Sequence, residues 1–243
     1  MNKDIINAVD SSQRAQRNYD LTKCIPKEDL DTLVYAAMNS PSKQNETHYS
    51  LYVYTDQKII KQIYNHTKNF AMVRDEKDLN ESYNVENNIF KQNYSNSVTN
   101  SQIYANTLFV YVTEEGIARC NQHRAAKENP NSTAAKVYNE QIAYSMGISV
   151  GELILSAGLL GYKTGICSAI DTKPIRDILG TSQNPKILVG VGIPNNQLER
   201  TQHADLLNRD VPEKFRTGNA EEHWSFPSFE KHTKVYFNGV NSK

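Results

Sequence analysis

Two arginines three positions apart, Arg14 and Arg17, stand in the run Gln13-Arg14-Ala15-Gln16-Arg17-Asn18-Tyr19. A guanidinium stays charged at any working pH and presents a fixed fork of donors, so such a pair suits an anion of defined shape. Three further runs carry polar chemistry at a distance. Ser40-Pro41-Ser42-Lys43-Gln44-Asn45 offers two hydroxyls, an ammonium and two amides. Gly165-Ile166-Cys167-Ser168-Ala169-Ile170-Asp171 combines a thiol with small residues. Lys186 to Pro194 holds Gly190-Val191-Gly192, with Arg200 and Arg209 beyond it. Each arginine can also be read as a solvated surface charge, and Ser40-Pro41-Ser42, taken alone, is an ordinary helix stop.

Other chemistries lack their residues. There is no phosphate-binding P-loop and no GxGxxG; Gly190-Val191-Gly192 reads as a tight strand exit. Cys120-Asn-Gln-His123 has no second ligand pair, so a metal site has no support. No GxSxG elbow is present. Cys24, Cys120 and Cys167 are odd in number and widely spaced, which describes a reduced chain and not a disulfide framework. With 27 basic and 27 acidic residues the net charge is zero, which argues against a bulk field for nucleic acid or anionic lipid and leaves room for one local anion site. No secretory leader is expected from Met1 to Asp10, and the run Ile148 to Gly161 is too short to cross a bilayer, so a soluble, cytoplasmic protein is expected.

The elements that must position these residues follow from periodicity. Pro26, Glu28 and Asp29 open a helix whose apolar stripe is Leu30, Leu33, Val34, Ala37 and Met38, ending before Pro41. Tyr49 to Thr55 reads as a strand and Ile59 to Tyr64 as a helix. Leu108 to Thr113 is a continuous β-prone run, the pattern of a strand covered on both faces. Residues 114 to 132 read as loop or short helix. Thr133 to Leu160 is the longest helical pattern, ended by Gly161. Its Ala143, Gly147 and Gly151 lie four apart and suggest tight helix–helix packing. Thr164 to Ala169 and Lys186 to Val191 are two more strands, with a short helix capped by Thr172 and stopped by Gly180 between them. The whole, 1–243, reads as one α+β domain with a polar insertion at about 66–100 and an extended C-terminal arm at about 195–243. Aromatic anchors Phe215, Trp224, Phe226, Phe229, Tyr236 and Phe237 punctuate that arm.

The four runs, in this order and spacing, resemble the nitroreductase family of FMN-dependent oxidoreductases. The resemblance implies a mixed, largely antiparallel sheet flanked by helices, two chains intertwined as a homodimer, and one FMN in each cleft between subunits. Residue by residue it implies that Arg14, Ala15 and Arg17 meet the flavin phosphate and pyrimidine rim. Pro41, Ser42, Lys43 and Asn45 reach the flavin of the partner subunit. Cys167, Ser168 and Ala169 bring backbone N–H groups to the flavin ring. Arg209, with Arg200 as the alternative, binds phosphate. Asn100, with Asn96 and Gln102 as alternatives, supplies a polar side chain ahead of the second strand. Gln13 and Ala15 depart from the family's usual arginine and serine.

The implied activity is hydride transfer from NADH or NADPH to FMN, then reduction of a nitroaromatic, quinone or similar electron-poor acceptor. No catalytic side chain and no metal is then required, because the flavin carries the chemistry. Two rivals share the fold: a flavin enzyme independent of nicotinamide, for which residues 66–100 would be a lid, and a flavin-binding protein without activity, favoured by Gln13 and Ala15. The apolar fraction of 38%, low for a globular chain, fits a core completed by a second copy.

Overall fold

The strand Thr107–Thr113 (β4) shows how the chain layers itself. Phe109 and Tyr111 point to one face of the sheet, Leu108, Val110 and Val112 to the other, and all five are fully buried. Alternate residues of a strand face opposite ways, so an unbroken apolar run requires cover on both sides. Burying a side chain of this size contributes about 1.5–3 kcal/mol. The computed structural model describes residues 2–67, 83–84, 89–90, 99–113, 121–198 and 200.

Among these, β4 is interior to a four-stranded sheet of order β1-β4-β6-β5, with β1 Tyr49–Tyr54, β5 Lys163–Cys167 and β6 Pro185–Gly192. Every pairing in it is antiparallel. Tyr49 faces Thr113, Thr107 faces Val191, and Gly165 faces Gly190. The short strands β2 (Tyr83–Asn84) and β3 (Ile89–Phe90) form a separate pair.

Helices α2 (Lys27–Met38) and α5 (Thr133–Leu159) cover the Phe109 face, while α3 (Gln57–Tyr64) and α6 (Thr172–Leu179) cover the Val110 face. Helix α1 (Lys3–Ser12) and helix α4 (Asn121–Glu128) pack on α5. Their ends obey local chemistry. The Asn2 side chain accepts from the Asp4 and Ile5 amides, Asp56 from Lys58, and Ser132 from Ala135. Gly180 ends α6 at φ +64, a left-handed position that glycine adopts without a Cβ penalty.

Four expectations need correction. The cap position of α6 belongs to Asp171, not Thr172. Gly190 lies inside β6 and only Gly192, its last residue, stands at the strand exit, for a packing reason given below. Gly147 and Gly151 face open space, so no helix among the described residues packs on that stripe. Finally, α5 with its 27 residues meets the length and apolarity of a membrane span, which the run 148–161 alone does not. Its inner side bears Gln141, Ser145 and Ser149, all buried, and the Ser149 hydroxyl donates to the Ala37 carbonyl at 2.6 Å. Buried serines hydrogen-bonded to other elements, as Ser149 to Ala37 and Ser145 to His48, are the behaviour of a core helix.

Most of the insertion, the arm from 201 on, Cys120 and Arg209 lie outside the described residues.

Candidate functional site

The opposed pair Gly165 and Gly190 forms a seat. A Cβ on either would stand 2.5 Å from the Gln102 carbonyl oxygen, so only glycine lets the 3-10 turn Ser101–Ile103 rest its backbone on the sheet. The Tyr19 hydroxyl donates to that same carbonyl at 3.0 Å. Burial pushes the Tyr19 phenol far above its ordinary value, so it remains a neutral donor. At Gly192 a Cβ would fall 2.2 Å from Asn106 Oδ1. Asn106 Nδ2 donates to the Asp20 and Lys23 carbonyls (2.8 and 2.7 Å), and its Oδ1 accepts from the Ile193 amide at 2.9 Å. Both glycines of β6 thus admit neighbours that lock the N-terminal run in place.

That run lies along the start of β5 and the end of β6. The Gln16 amide donates to the Thr164 carbonyl at 2.9 Å, and Tyr19 bridges Pro194. The Arg17 amide donates to the Arg200 carbonyl at 2.9 Å, while Arg200 Nη1 donates to the Ala15 carbonyl at 3.3 Å. Lys163 Nζ reaches Ser11 Oγ at 2.7 Å. Arg14 is exposed, Ala15 half-buried, and Arg17 half-buried with its Nε fully inside. Arg14, Arg17, Lys163 and Arg200 therefore give this corner a cationic character. Lys163 escaped the sequence reading, because a lysine opening a strand has no distinguishing signal.

At the other end of β5, Asn100 is buried and hydrogen-bonds to Cys167. Its Oδ1 also accepts from the Gln102 amide at 3.1 Å, and its own amide donates to Thr67 Oγ1 at 2.9 Å. Thr67 bridges Ile170, and the Asp171 amide donates to the His66 carbonyl at 2.8 Å, so the segment after β5 is stitched to the end of α3. Thr67 was likewise not singled out from sequence. Ser168 is exposed and Ala169 half-buried.

Burial pushes the Cys167 thiol up to about 11, with hydrogen bonds to the Ala169 carbonyl and Asn100 opposing the rise. At pH 8 about 0.1% is then thiolate, against about a quarter of a free thiol. Brief treatment of the folded protein with iodoacetamide at pH 8 should label exposed Cys24 and spare Cys167, as read by peptide mass spectrometry. Equal labelling of the two would contradict the buried, protonated thiol.

The remaining run lies elsewhere. Pro41, Lys43 and Asn45 are exposed on the connection from α2 to β1, and Ser42 is half-buried. Ser42 Oγ accepts the Thr47 amide at 3.0 Å, and Asn45 and Thr47 have φ of 55° and 43°. This loop enters edge strand β1, whereas β5 is the opposite edge. Three strand spacings separate them, about 14 Å at about 4.8 Å each. One chain brings the first, third and fourth runs together and leaves the second at the far edge.

The donors gathered along β5 are guanidinium, ammonium and amide, with one guanidinium nitrogen buried. That set fits a ligand with an anionic end and a rim of carbonyl acceptors.

Comparison with known proteins places this arrangement among relatives. The profile of the Nitroreductase family matches residues 11–193. Solved structures with the same fold include nitroreductase A from Vibrio parahaemolyticus, 15% identical, covering 92% of this chain and 82% of its own, TM-score 0.53. An FMN-dependent nitroreductase from Clostridium difficile is 15% identical, covering 85% and 97%, TM-score 0.50. A Staphylococcus epidermidis protein provisionally assigned as an NAD(P)H:FMN oxidoreductase is 15% identical, covering 81% and 89%, TM-score 0.53. No curated protein matches the chain at a significant level.

Proposed function

The chain belongs to the nitroreductase family, and from that premise we propose that it is a homodimeric oxidoreductase holding FMN. The observation that carries this reading is the convergence on β5: the Arg14–Arg17 run bonded to its start, and Asn100 bonded to Cys167 near its end. FMN, when bound, supplies hydride acceptance at N5 from NADH or NADPH and onward reduction of a nitroaromatic, quinone or similar electron-poor acceptor.

The side chains then bind and orient. Arg14 and Arg17, with Ala15 between them, face the phosphate and the pyrimidine rim. Arg200 stands beside them in the described chain, and Arg209 remains a proposed phosphate ligand from the arm. Asn100 orients the segment Cys167-Ser168-Ala169, whose backbone N–H groups face the flavin ring. No side chain needs to act as general acid or base, and neither a metal nor a nucleic acid or membrane partner enters the scheme. Reduced nicotinamide as donor places the work in the cytoplasm, and the chain 1–243 works as one domain.

The second copy supplies what one chain holds at the wrong edge, namely Pro41, Ser42, Lys43 and Asn45. Support for it comes from α5, whose exposed side carries an apolar stretch. Tyr144, Gly147, Ile148 and Gly151 are exposed, beside exposed Tyr35 and Met38 on α2. An exposed run of apolar residues across two neighbouring helices is the kind of patch that a partner covers.

Gln13 and Ala15, where relatives are expected to carry arginine and serine, favour a second reading: a flavin-binding protein without activity. The experiment that separates the two is anaerobic mixing of the FMN-loaded protein with NADH or NADPH. Rapid bleaching of the yellow protein is the expected result; no bleaching with either donor removes the reductase reading. In the same preparation Arg14→Ala should weaken FMN affinity about ten- to a hundredfold, because a hydrogen bond to a charged group is worth about 1.5–3 kcal/mol. Unchanged affinity by fluorescence titration would remove Arg14 from the site.

A further inference from the structure

A buried chain of side chains joins the loop before β1 to the central helix α5, and none of the roles above uses it. His48 is its middle member, 3% exposed. Its Nε2 lies 2.9 Å from Glu46 Oε2, its Nδ1 3.1 Å from Ser145 Oγ, and its ring meets Tyr138 edge-on at 5.5 Å. With the proton assigned to Nε2, both bonds of the ring are satisfied: Nε2–H donates to the carboxylate, and the Ser145 hydroxyl donates to Nδ1. Ser145 sits on the buried side of α5, one residue from exposed Tyr144.

The loop so anchored is strained. Asn45 at φ 55° is tolerable, because a short amide side chain accepts the left-handed region; Thr47 at φ 43° is a β-branched residue where such residues are outliers. Strain of this kind persists only where the surroundings over-determine the backbone, and it gathers at ligand clamps. Two devices hold it here. Ser42 Oγ accepts the Thr47 amide and closes the loop on itself, and the Glu46–His48–Ser145 chain ties the closed loop to α5. If the chain opened, Thr47 would relax to negative φ and carry Ser42 and Asn45 with it.

We infer that Glu46 and His48 are positioning residues: they hold Ser42 and Asn45 in the geometry that meets the flavin of the partner subunit. The inference rests on the FMN reading above. It assigns the glutamate, histidine and helix serine a purpose in ligand binding that acts through the loop backbone. The binding entropy of ordering a loop is thereby spent in folding, before the ligand arrives.

The test uses Glu46→Ala, which removes the acceptor of His48 Nε2–H, and Glu46→Gln, which keeps an oxygen there. Two quantities are read on the full-length dimer: FMN affinity by fluorescence, and hydrogen exchange of the peptide spanning residues 42–48 without FMN. Glu46→Ala should exchange that peptide about tenfold faster and bind FMN about tenfold more weakly, as for one lost hydrogen bond, with the melting temperature lower by only about 3–6 °C and the fold intact. Glu46→Gln should restore both to within about threefold of the wild type. An alanine variant that exchanges and binds like the wild type overturns the inference, and so does a glutamine variant as weak as alanine. Should the wild-type protein bind no FMN, the flavin reading falls with its ligand role for this loop, and the exchange data still report whether the anchor exists.

Discussion

Replacing Gly190 by alanine should cost about 3 kcal/mol or more, although it adds one methyl group in the middle of a strand. The new Cβ would stand 2.5 Å from the Gln102 carbonyl oxygen and 2.9 Å from Ile103 Cα, both backbone atoms that no rotamer change can move. Overpacking against rigid neighbours commonly costs 1–3 kcal/mol, and a backbone clash on this scale belongs at or above the top of that range. For a chain of this length that lowers the melting temperature by about 6–12 °C. Displacement of the 3-10 turn would also take Asn100 from Cys167 and the Gln102 carbonyl from Tyr19, so FMN retention should fall with stability. Gly180→Ala is the contrast: among the described residues no atom beyond its chain neighbours and its own helix backbone lies within 4 Å of its Cβ, and the cost is the left-handed φ, roughly 1 kcal/mol. Calorimetry on both variants checks the argument. Equal losses would mean that the seat beneath Gln102 is not what the glycine provides.

The second large effect should come from Gly151→Arg. In an isolated chain it is harmless or favourable, because the side chain would enter open space and arginine is better than glycine in a helix by almost 1 kcal/mol. In the proposed dimer the same arginine would be buried against a second copy without a partner charge, which costs several kcal/mol. The expected outcome is a monomer by light scattering, with intact helical circular dichroism and no bound FMN, since the Pro41–Asn45 loop of the second copy would be withdrawn. A variant that stays dimeric and yellow would place the interface on another face. Tyr144 and Ile148 flank the position on the same exposed stripe, so a neutral Gly151→Ala is expected to retain the dimer.

These two glycines show how unevenly the chain reveals itself. Helices α2, α3, α5 and α6 and strands β1, β4, β5 and β6 were legible within a few residues, because apolar period, caps and stops act over one or two turns. The double cover of β4 was legible too, from five apolar residues in succession. Gly190 was legible only as a glycine. Its use depends on Gln102, which is brought over it by the sheet order and not by any neighbour in sequence. The same holds for Gly147 and Gly151, whose spacing suggested tight helix–helix packing and which face open space among the described residues.

By itself the sequence pointed to a neutral α+β chain with a nitroreductase-type order of polar runs, and it carried no P-loop, no paired metal-ligand motif and no GxSxG elbow. Residue type and short spacing suffice for that, since a guanidinium pair or a proline stop carries its chemistry wherever it is placed. Only the tertiary structure decided which runs meet. Ala15 and Arg200 touch across 185 positions and His48 and Ser145 across 97, while the Pro41–Asn45 loop is left three strands away from β5. Such contacts come from pairing register and layer packing, which are collective properties of the whole fold. No local pattern encodes them, so the sheet edge at which each of the four runs falls could be read only from the folded chain.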